Sequence, residues 1–552
     1  MSYRIKLRNY LVTRDRAWIL LLLAAICIVY LPFLGSPLFF DDLPFFGGGA
    51  VAAYADKGFD LSLRWFPYVS LGWTYALFSD EYTHAYHLGN MLLHVANTLL
   101  LFFFLRQLIG AVQAEDIDAA VVTRGAWFGA LIFALHPVAV FAVGYVIQRS
   151  ILMATLFALL MQLAYLRGLL SGRKRWFALA VTAYFLACFS KEHSVLMPLV
   201  LGAMGLLVHG AQRAERKVLW STWMAFLAIA VLVTLRARGV LGSPYEAMAA
   251  QLFEQQGIAE STPMLHLLSA LTQAGLFFKY LFLWLLPEPS MMAVDMRETF
   301  IASISVWQGW LGGVAFVLYG AFAARLLLRG GMSGLAGFAL LYPWLLFWVE
   351  MAGIRVQEPF VLYRSYLWMP GLLLLLPLLL VKFPQRRTLL VLGCIALLLI
   401  PLAWKRLWVF SDNYRLWNEA ALLLKSERMA GADRIFYNRG QAELALKKWE
   451  DAAVDFERAL TISPQLVPVR YVLGVAYGNS GRYAEALGQF DIVIGSKPND
   501  AQVYFAKGMT LKRMGRDDEA RQQMKRACEL KNQIACLLAS GFGAPALKTP
   551  SR

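Results

Sequence analysis

Long apolar segments dominate the first 404 residues, and this feature limits the possible folds more than any other in the sequence. A helix of about 20 apolar residues can cross the hydrocarbon core of a bilayer. Only 16% of all residues are charged, whereas soluble domains carry about 25%, so the chain cannot be a soluble enzyme. We predict membrane segments at 17–34, 85–105, 125–144, 150–170, 175–190, 193–209, 218–237, 264–286, 303–325, 334–352, 361–381 and 388–404.

Basic residues are concentrated in the short hydrophilic breaks between these segments, as the positive-inside rule expects of cytoplasmic loops. The net charge of +16 is therefore typical of a membrane protein. Because no stripe of basic and aromatic residues accompanies it, we expect no nucleic-acid partner. Residues 17–34 follow a basic flank and lack a small-residue cleavage site, which indicates a retained signal anchor with a cytoplasmic N-terminus. The basic breaks are 2–16, 167–175, 213–217, 325–329 and 382–387.

The first seven segments alternate across the membrane and deliver residues 238–263 to the outer side. The alternation then fails, because residues 264–286 would have to begin and end outside. Lys279 lies inside this segment and Pro287-Glu288-Pro289 follows it, so we interpret it as re-entrant or interfacial. Eleven crossings remain, and an odd number places the C-terminal tail in the periplasm. A twelfth crossing would instead leave the tail in the cytoplasm.

The tail after Trp404 has the composition of a soluble helical domain and repeats with a period of 34 residues, which is the tetratricopeptide (TPR) spacing. Small residues let two helices approach, and proline ends the second helix. Such arrays bind peptides or proteins. We predict a connecting helix at 405–432, three repeats over 433–532, and a capping helix and tail at 533–552. The repeat positions are Gly440, Gly474 and Gly508; Ala452, Ala486 and Ala520; Phe456, Phe490 and Met524; and Pro464, Pro498 and Asn532.

The five cysteines contain no C-x-x-C pair, so no zinc site is expected. Cys27, Cys188 and Cys394 lie in apolar segments and are expected to be small core residues. Cys528 and Cys536 are the only cysteines of the tail, on either side of a predicted turn. We predict a disulfide between them, because antiparallel neighbours can bring their Cα atoms close enough and the periplasm is oxidising. Two buried thiols are the alternative.

Polar residues at membrane depth cost free energy and so suggest a function by default. Asp41 and Asp42 follow the first segment, where two adjacent carboxylates could bind a metal or act as a base; an ordinary solvated loop is the alternative. A polar stripe on one face of the second segment could line a wet cavity or form interhelical hydrogen bonds. The stripe consists of His87, Asn90, His94 and Asn97.

Further unusual polar residues are placed by the topology on the outer side. An outer cavity with carboxylates and several basic groups suits an anionic lipid phosphate, because arginine pairs bidentately with phosphate and lysine supplies a point charge. Lys191 and Glu192 could instead simply neutralise each other. These residues are Tyr145, Gln148, Arg149, Lys191, Glu192, His193, Asp295, Arg297, Glu358, Tyr363, Arg364 and Tyr366.

Short motifs follow one another along the chain in a recognisable order. They are FFDD (39–42), RWFP (64–67), YHLGNMLLH (86–94), LIFALHPV (131–138), YVIQRS (145–150), SKEHSVLMP (190–198), KYLFLWLLPEPSMMAVD (279–295) and LYRSYLWMP (362–370). Together with the C-terminal repeats, this order resembles the transmembrane-and-TPR glycosyltransferases of the GT-C fold. That family includes eukaryotic O-mannosyltransferases of the secretory pathway and bacterial relatives. The resemblance covers nearly the whole chain and implies an all-α GT-C bundle over residues 1–404.

The resemblance implies a polyprenyl- or dolichyl-phosphate-linked sugar as donor, a Ser or Thr hydroxyl as acceptor, and a catalytic Asp in the first outer loop. Asp41 and Asp42 match that position. Adjacent residues point apart in an extended loop, and we favour Asp42 as the base with Asp41 as its support or a metal ligand. The cofactor is unknown, and a divalent metal stays open. The implied phosphate-binding residues are Arg64, Arg149, Lys191 and Arg364, and the implied cavity-shaping residues are Glu192, His87, Asn90 and Asp295.

These features predict a glycosyltransferase of the bacterial inner membrane that moves a sugar to a periplasmic acceptor, with a protein acceptor or partner at the repeats. One departure concerns the segment after Val138, where many members carry a polar stretch ending in Glu but this chain reads Ala139-Val140-Phe141. The alternatives are a glycan ligase or polymerase, and a non-catalytic scaffold for envelope or pilus assembly. A transporter is a third alternative, although no pair of inverted repeats is evident.

Overall fold

The computed structural model describes residues 14–112, 118–239, 262–356, 358–427, 429 and 431–541. This part of the chain is all-α, as predicted, and contains no β-strand. The helices of its first unit are Arg14–Tyr30, Asp42–Gly47, Ala50–Ala55, Trp65–Phe78, Thr83–Val112, Ala119–Leu135, Val140–Val143, Arg149–Ser171, Lys174–Ser190, Met197–Leu207, Arg216–Arg236, Thr262–Leu285, Trp307–Leu328, Gly331–Met351, Leu375–Lys382 and Gln385–Phe410. Short 3-10 helices lie at Leu31–Phe33, Pro137–Ala139, Val146–Gln148, Glu192–Leu196, His209–Ala211, Pro289–Met291, Leu362–Leu367 and Met369–Leu374.

Within the described ranges, eight helices are long and apolar enough to cross a membrane, and a broken pair is a ninth candidate. The two halves of this pair, Ala119–Leu135 and Pro137–Val143, meet at 51°. The break is expected at Pro137, which lacks the N–H that would continue the helix. Every predicted apolar segment lies on a helix, but three of them are shorter than a typical span. The shorter ones are Lys174–Ser190, Glu192–Leu207 and Met369–Lys382.

The segment interpreted as re-entrant forms one continuous helix, Thr262–Leu285, which is long enough to cross a membrane. It accommodates Lys279 by an ion pair with Glu298 and by contact with the Phe360 ring, whose centre is 4.3 Å from Nζ. The number of crossings and the side of the tail therefore stay predictions. The basic N-terminal flank and most of the outer loop at 238–263 lie outside the described residues.

The first of two compact units ends at Asp412, whereas the sequence placed this boundary at Trp404. The last apolar helix continues to Phe410 although it meets charged residues on the way. It can do so because the Arg406 side chain is buried and donates to the carbonyl of Met292 at 2.8 Å. The change from apolar to charged sequence therefore precedes the structural boundary.

The predicted connecting helix at 405–432 is not a single helix. It contains the end of the last apolar helix and a separate helix, Asn413–Leu422, that belongs to the second unit. The repeats follow as paired helices close to the predicted bounds, and a short cap follows them. The pairs are Ala432–Ala445 with Trp449–Ile462, Val467–Ser480 with Tyr483–Ser496, and Ala501–Arg513 with Asp517–Glu529, and the cap is Gln533–Gly541.

Glycine is required at the repeat position because the two helices of each pair approach closely there. A Cβ atom on Gly440 would lie 2.6 Å from the Phe456 ring, and one on Gly474 would lie 2.6 Å from the Phe490 ring. In the third pair the buried Met524 takes the place of the ring. The period of 34 residues thus reflects one packing contact made in each repeat, which confirms the TPR prediction.

Cys528 and Cys536 form the predicted disulfide, with Cα atoms 4.6 Å apart. The bond ties the capping helix to the last repeat helix. The remaining cysteines are free, and Cys188 is buried as expected of a small core residue. Cys394 differs from the expectation, because it is exposed on the last apolar helix.

We expect a reporter that is active only in the periplasm to be active when it is fused after Arg552. The reason is that the predicted eleven crossings put the tail outside, where a disulfide persists. The same reporter inserted after Lys217, in a predicted cytoplasmic break, should be inactive. A cytoplasmic result at Arg552 would make 264–286 a true crossing and would put the repeats on the wrong side for outer-face chemistry.

Candidate active site

Asp42 starts the short helix Asp42–Gly47 after the first candidate span, and its side chain is fully buried. One carboxylate oxygen accepts the N–H of Ile147 at 2.7 Å, and the other accepts the N–H of Phe39 at 3.4 Å. Burial raises the pKa of Asp42 to about 8, against the opposing effect of the bond from Ile147. Asp42 is therefore largely protonated at pH 7, and it fastens the FFDD loop to the YVIQRS segment.

Asp41 differs from its neighbour because it is exposed. Its backbone N–H donates to the Tyr145 hydroxyl at 2.9 Å, and its carboxylate interacts electrostatically with Lys191 and Tyr363. The two carboxylates face different surroundings. The predicted extended loop is wrong, because Asp41 has right-handed helical dihedrals (φ −67°, ψ −13°) at the start of the helix. The geometry favours Asp41, rather than Asp42, as the carboxylate that a substrate can reach. A catalytic role for the pair stays a prediction.

The same pair does not fit a divalent metal. Such an ion takes several oxygen ligands, but both oxygens of Asp42 face backbone N–H groups in a closed environment. Within the described ranges, no group of three or more His, Cys, Asp or Glu side chains is arranged to hold a metal.

Lys191 lies between helix Lys174–Ser190 and the following 3-10 helix, with only 4% of the residue exposed. Its Nζ is 3.5 Å from Ser150 Oγ and 5.5 Å from the centre of the Tyr363 ring. Burial lowers the pKa of Lys191 to about 7. Among the described residues none forms an ion pair with this ammonium. Lys191 is therefore a cation that can respond to an anionic ligand beside Asp41.

Arg64 and Glu192 form a bidentate ion pair between two distant motifs. Arg64 Nε donates to Glu192 Oε2 at 3.1 Å, and a second N–H donates to Oε1. Arg64 takes a left-handed conformation (φ 64°) immediately before helix Trp65–Phe78, which turns the chain into that helix. Because paired carboxylate and guanidinium groups match in geometry, a donor phosphate would have to compete with Glu192 for Arg64.

Arg364 pairs with Glu350, a residue to which the sequence analysis assigned no role. Arg364 Nη1 donates to Glu350 Oε2 at 3.0 Å, and Arg355 Nε lies 2.9 Å from the same oxygen. His193 Nε2 lies 3.0 Å from the other oxygen, Oε1. The signal that could have identified Glu350 is its position as an acid within the apolar segment 334–352.

Arg149 was predicted to bind phosphate, but the structure assigns its hydrogen bonds to the protein itself. The buried guanidinium donates to Asn90 Oδ1 at 3.0 Å, to the carbonyls of Ser70 and Tyr86, and to Thr74 Oγ1. Its role in this arrangement is to join the second and fourth predicted membrane segments to helix Trp65–Phe78.

The polar stripe of the second segment is buried, as its shared helical face predicted, and it serves interhelical hydrogen bonding. Asn90 Nδ2 donates to the carbonyls of residues 143, 145 and 146. His94 contacts the Tyr366 hydroxyl at 2.7 Å, and Asn97 donates to the same hydroxyl at 3.2 Å. His87 contacts the carbonyl of Ser36 at 3.0 Å.

The remaining candidate, Asp295, forms a buried ion pair with Arg297 at 2.6 Å. The segment Ala139-Val140-Phe141, where the resemblance implies a polar stretch, is buried in the structure.

Arg149→Met should lower the free energy of unfolding by about 3 kcal/mol or more, because several buried acceptors lose their donor. Thermal unfolding in detergent measures this effect. Arg167→Met is a suitable comparison, because Arg167 donates to one side chain, Gln107, at 3.1 Å, and should cost less. An Arg149 variant of normal stability that binds lipid phosphate poorly would restore the phosphate-binding assignment.

Comparison with known proteins supports the C-terminal assignment: residues 471–533 match the tetratricopeptide repeat family model. No curated protein sequence matches the chain significantly. Among solved structures, a point mutant of MamA is 27% identical, with 22% of this chain and 83% of that chain covered and a TM-score of 0.18. YrrB, described as a TPR protein with an unusual peptide-binding site, is 20% identical over 28% of this chain and 83% of its own, with a TM-score of 0.23.

A third structure, the archaeal oligosaccharyltransferase AglB from Archaeoglobus fulgidus in complex with an inhibitory peptide and a dolichol-phosphate, is 16% identical. The match covers 78% of this chain and 60% of that chain, with a TM-score of 0.39. TM-scores this low carry no inference about fold or function. The comparisons therefore establish the TPR repeats and leave the function of the membrane unit to its own residues.

Proposed function

We propose that this protein transfers a sugar from a polyprenyl-phosphate-linked donor to a Ser or Thr hydroxyl of a protein, on the outer side of a bacterial inner membrane. The observation that carries the proposal is the interlocking of the motifs that resemble the GT-C family. These motifs are far apart in the sequence, yet direct contacts join them in the membrane unit. A membrane region that served only as an anchor would not need this convergence.

The contacts between motifs can be followed in turn. FFDD meets YVIQRS through Asp42, and RWFP meets SKEHSVLMP through Arg64. YHLGNMLLH meets YVIQRS through Asn90. KYLFLWLLPEPSMMAVD meets LYRSYLWMP where the Trp284 indole N–H donates to Ser365 Oγ at 2.9 Å. Asp41 itself interacts with three of these segments, through Tyr145, Lys191 and Tyr363, which supports the proposal.

In the proposed reaction, the acceptor hydroxyl gives its proton to the Asp41 carboxylate while its oxygen attacks the anomeric carbon of the donor sugar. The bond between that carbon and the phosphate oxygen breaks, and the lipid phosphate leaves with the bonding electrons. Negative charge grows on the leaving phosphate, and the Lys191 ammonium stabilises it in a site of low dielectric. The isoprenoid chain of the donor stays in the lipid.

The TPR repeats are the reason for proposing that the acceptor is a protein. Arrays of this kind bind peptides or proteins, and the predicted topology puts them on the side where Asp41 lies. We infer that the tail recruits the acceptor protein or a partner of it. The second candidate function, a non-catalytic scaffold for envelope or pilus assembly, is favoured by the repeats alone and requires nothing of Asp41.

Glycoproteomics of periplasmic proteins tests the proposal in three strains: wild type, a deletion, and Asp41→Asn. We expect one sugar mass to be lost from the same peptides in the deletion and in the variant. If the deletion loses the glycopeptides but Asp41→Asn keeps them, Asp41 is not the base. The scaffold function is then favoured if Asp42→Asn keeps them as well. Identical glycopeptides in all three strains would contradict both a transferase function and a scaffold function in glycosylation.

A further inference from the structure

Glu350 is a buried carboxylate near the end of the candidate span Gly331–Met351, with 1% of the residue exposed. The proposed reaction makes no use of it. A charge at such a position is costly unless it is paired and hydrogen-bonded. Replacing buried ion pairs by apolar residues is often neutral or stabilising, so stability alone does not explain a carboxylate here.

The partners of Glu350 come from three separate parts of the membrane unit. Its Oε2 lies 3.0 Å from Arg364 Nη1 and 2.9 Å from Arg355 Nε, and its Oε1 lies 3.0 Å from His193 Nε2. The carboxylate accepts a hydrogen bond from Arg364 on the 3-10 helix at 362–367. It lies within ion-pair distance of Arg355 on the loop after the span and of the His193 ring on the 3-10 helix at 192–196.

His193 extends the arrangement toward the proposed active site. Its Nδ1 lies 3.6 Å from Glu192 Oε1, and Glu192 holds the bidentate pair with Arg64. Arg364 and Arg64 both act electrostatically on Lys191. A single buried carboxylate thus holds Arg364 by a hydrogen bond, and the His193 ring lies between that carboxylate and Glu192 at charge-contact distances.

We propose that Glu350 is a positioning residue: it holds Arg364, and through His193 the Glu192–Arg64 pair, in the geometry that receives the phosphate of the donor lipid. The inference rests on the proposed function and names a residue on which its phosphate recognition depends. Glu350 does not touch the donor itself. Its effect is to keep Arg364 and the Glu192–Arg64 pair at the positions from which they contact the donor phosphate. A displacement of a catalytic or binding group by about 1 Å can lower the rate 10²-fold.

The test uses the full chain in lipid nanodiscs with two probes, undecaprenyl phosphate and undecaprenol, which differ only in the phosphate. Wild-type protein should prefer the phosphate lipid. Glu350→Gln should reduce that preference about tenfold or more, and Glu350→Asp, which keeps the charge, should recover part of it. With a sugar-loaded donor, the donor KM should rise more than kcat falls. Glu298→Gln is the matched control, because it removes the separate ion pair with Lys279.

Each outcome decides the proposal. If wild type shows no preference for the phosphate lipid, the proposed function and this inference fail together. If wild type shows it and Glu350→Gln retains it, or loses it no more than Glu298→Gln does, only the role of Glu350 fails. If Glu350→Gln does not fold, Glu350→Asp and His193→Gln replace it. His193→Gln keeps both arginine contacts but removes the link to Glu192, and wild-type preference in these two variants would overturn the proposal.

Discussion

Asp41→Asn should reduce sugar transfer by about 10²–10⁴-fold, because an amide cannot accept the proton of the acceptor hydroxyl. The effect should appear in kcat, with little change in the amount of inserted protein, since the Asp41 side chain is exposed and its structural bond to Tyr145 uses the backbone N–H. Membranes containing equal amounts of each variant, supplied with lipid-linked sugar and acceptor, provide the measurement.

Asp42→Asn is the matched control and should stay close to the wild-type rate at pH 7. Burial raises the pKa of Asp42 to about 8, so the native group is mostly neutral at this pH and an amide of the same size is a fair substitute. The amide oxygen can still accept the N–H of Ile147. If Asp42→Asn abolishes transfer and Asp41→Asn does not, the division of roles reverses. If both variants transfer normally, the loop is not the catalytic site.

The positions of the helices could be predicted from sequence because each depends on a local pattern. A long apolar run forms a membrane helix wherever it lies. The 34-residue period reflects the contact of Gly440 with Phe456, which recurs between Gly474 and Phe490 and, with Met524 in place of the ring, at Gly508. The end of the last apolar helix could not be predicted in the same way. Arg406 looks like the start of a soluble domain until its partner, the carbonyl of Met292, is known.

The roles of the site residues depend on partners that are distant in sequence, and this is where sequence reasoning was incomplete. Asn90 and Arg149 could be singled out as polar residues at membrane depth. A polar residue there can either bind the donor phosphate or form a hydrogen bond between helices, and the sequence does not distinguish the two roles. Only the folded chain shows that the two side chains bind each other at 3.0 Å. Likewise, the sequence does not show which of Asp41 and Asp42 a substrate can reach. That depends on the fold, in which the N–H of Ile147 bonds to the buried Asp42 and leaves Asp41 exposed.

Lys191→Met should lower transfer by about 10²–10³-fold, the usual cost of removing one group that stabilises developing charge in an active site. Lys191 is nearly buried and carries no ion pair among the described residues, so its loss leaves no carboxylate unpaired. The variant should therefore insert and unfold like the wild type. Initial rates at saturating acceptor and varied donor separate an effect on donor KM from an effect on kcat.

The same lysine predicts a pH dependence whose sign follows from its environment. Burial lowers the pKa of Lys191 to about 7, so the ammonium is present below pH 7 and is lost as the pH rises above it. The phosphodiester of the donor keeps its charge over this range, and kcat/KM, which reports the free enzyme, should fall above about pH 7. Lys191→Arg keeps its charge because arginine stays protonated to above about pH 12, so its profile should lack this fall, whatever its absolute rate. A fall of equal size in Lys191→Arg would assign the titration to another group and would remove Lys191 from the proposed stabilisation of the leaving phosphate.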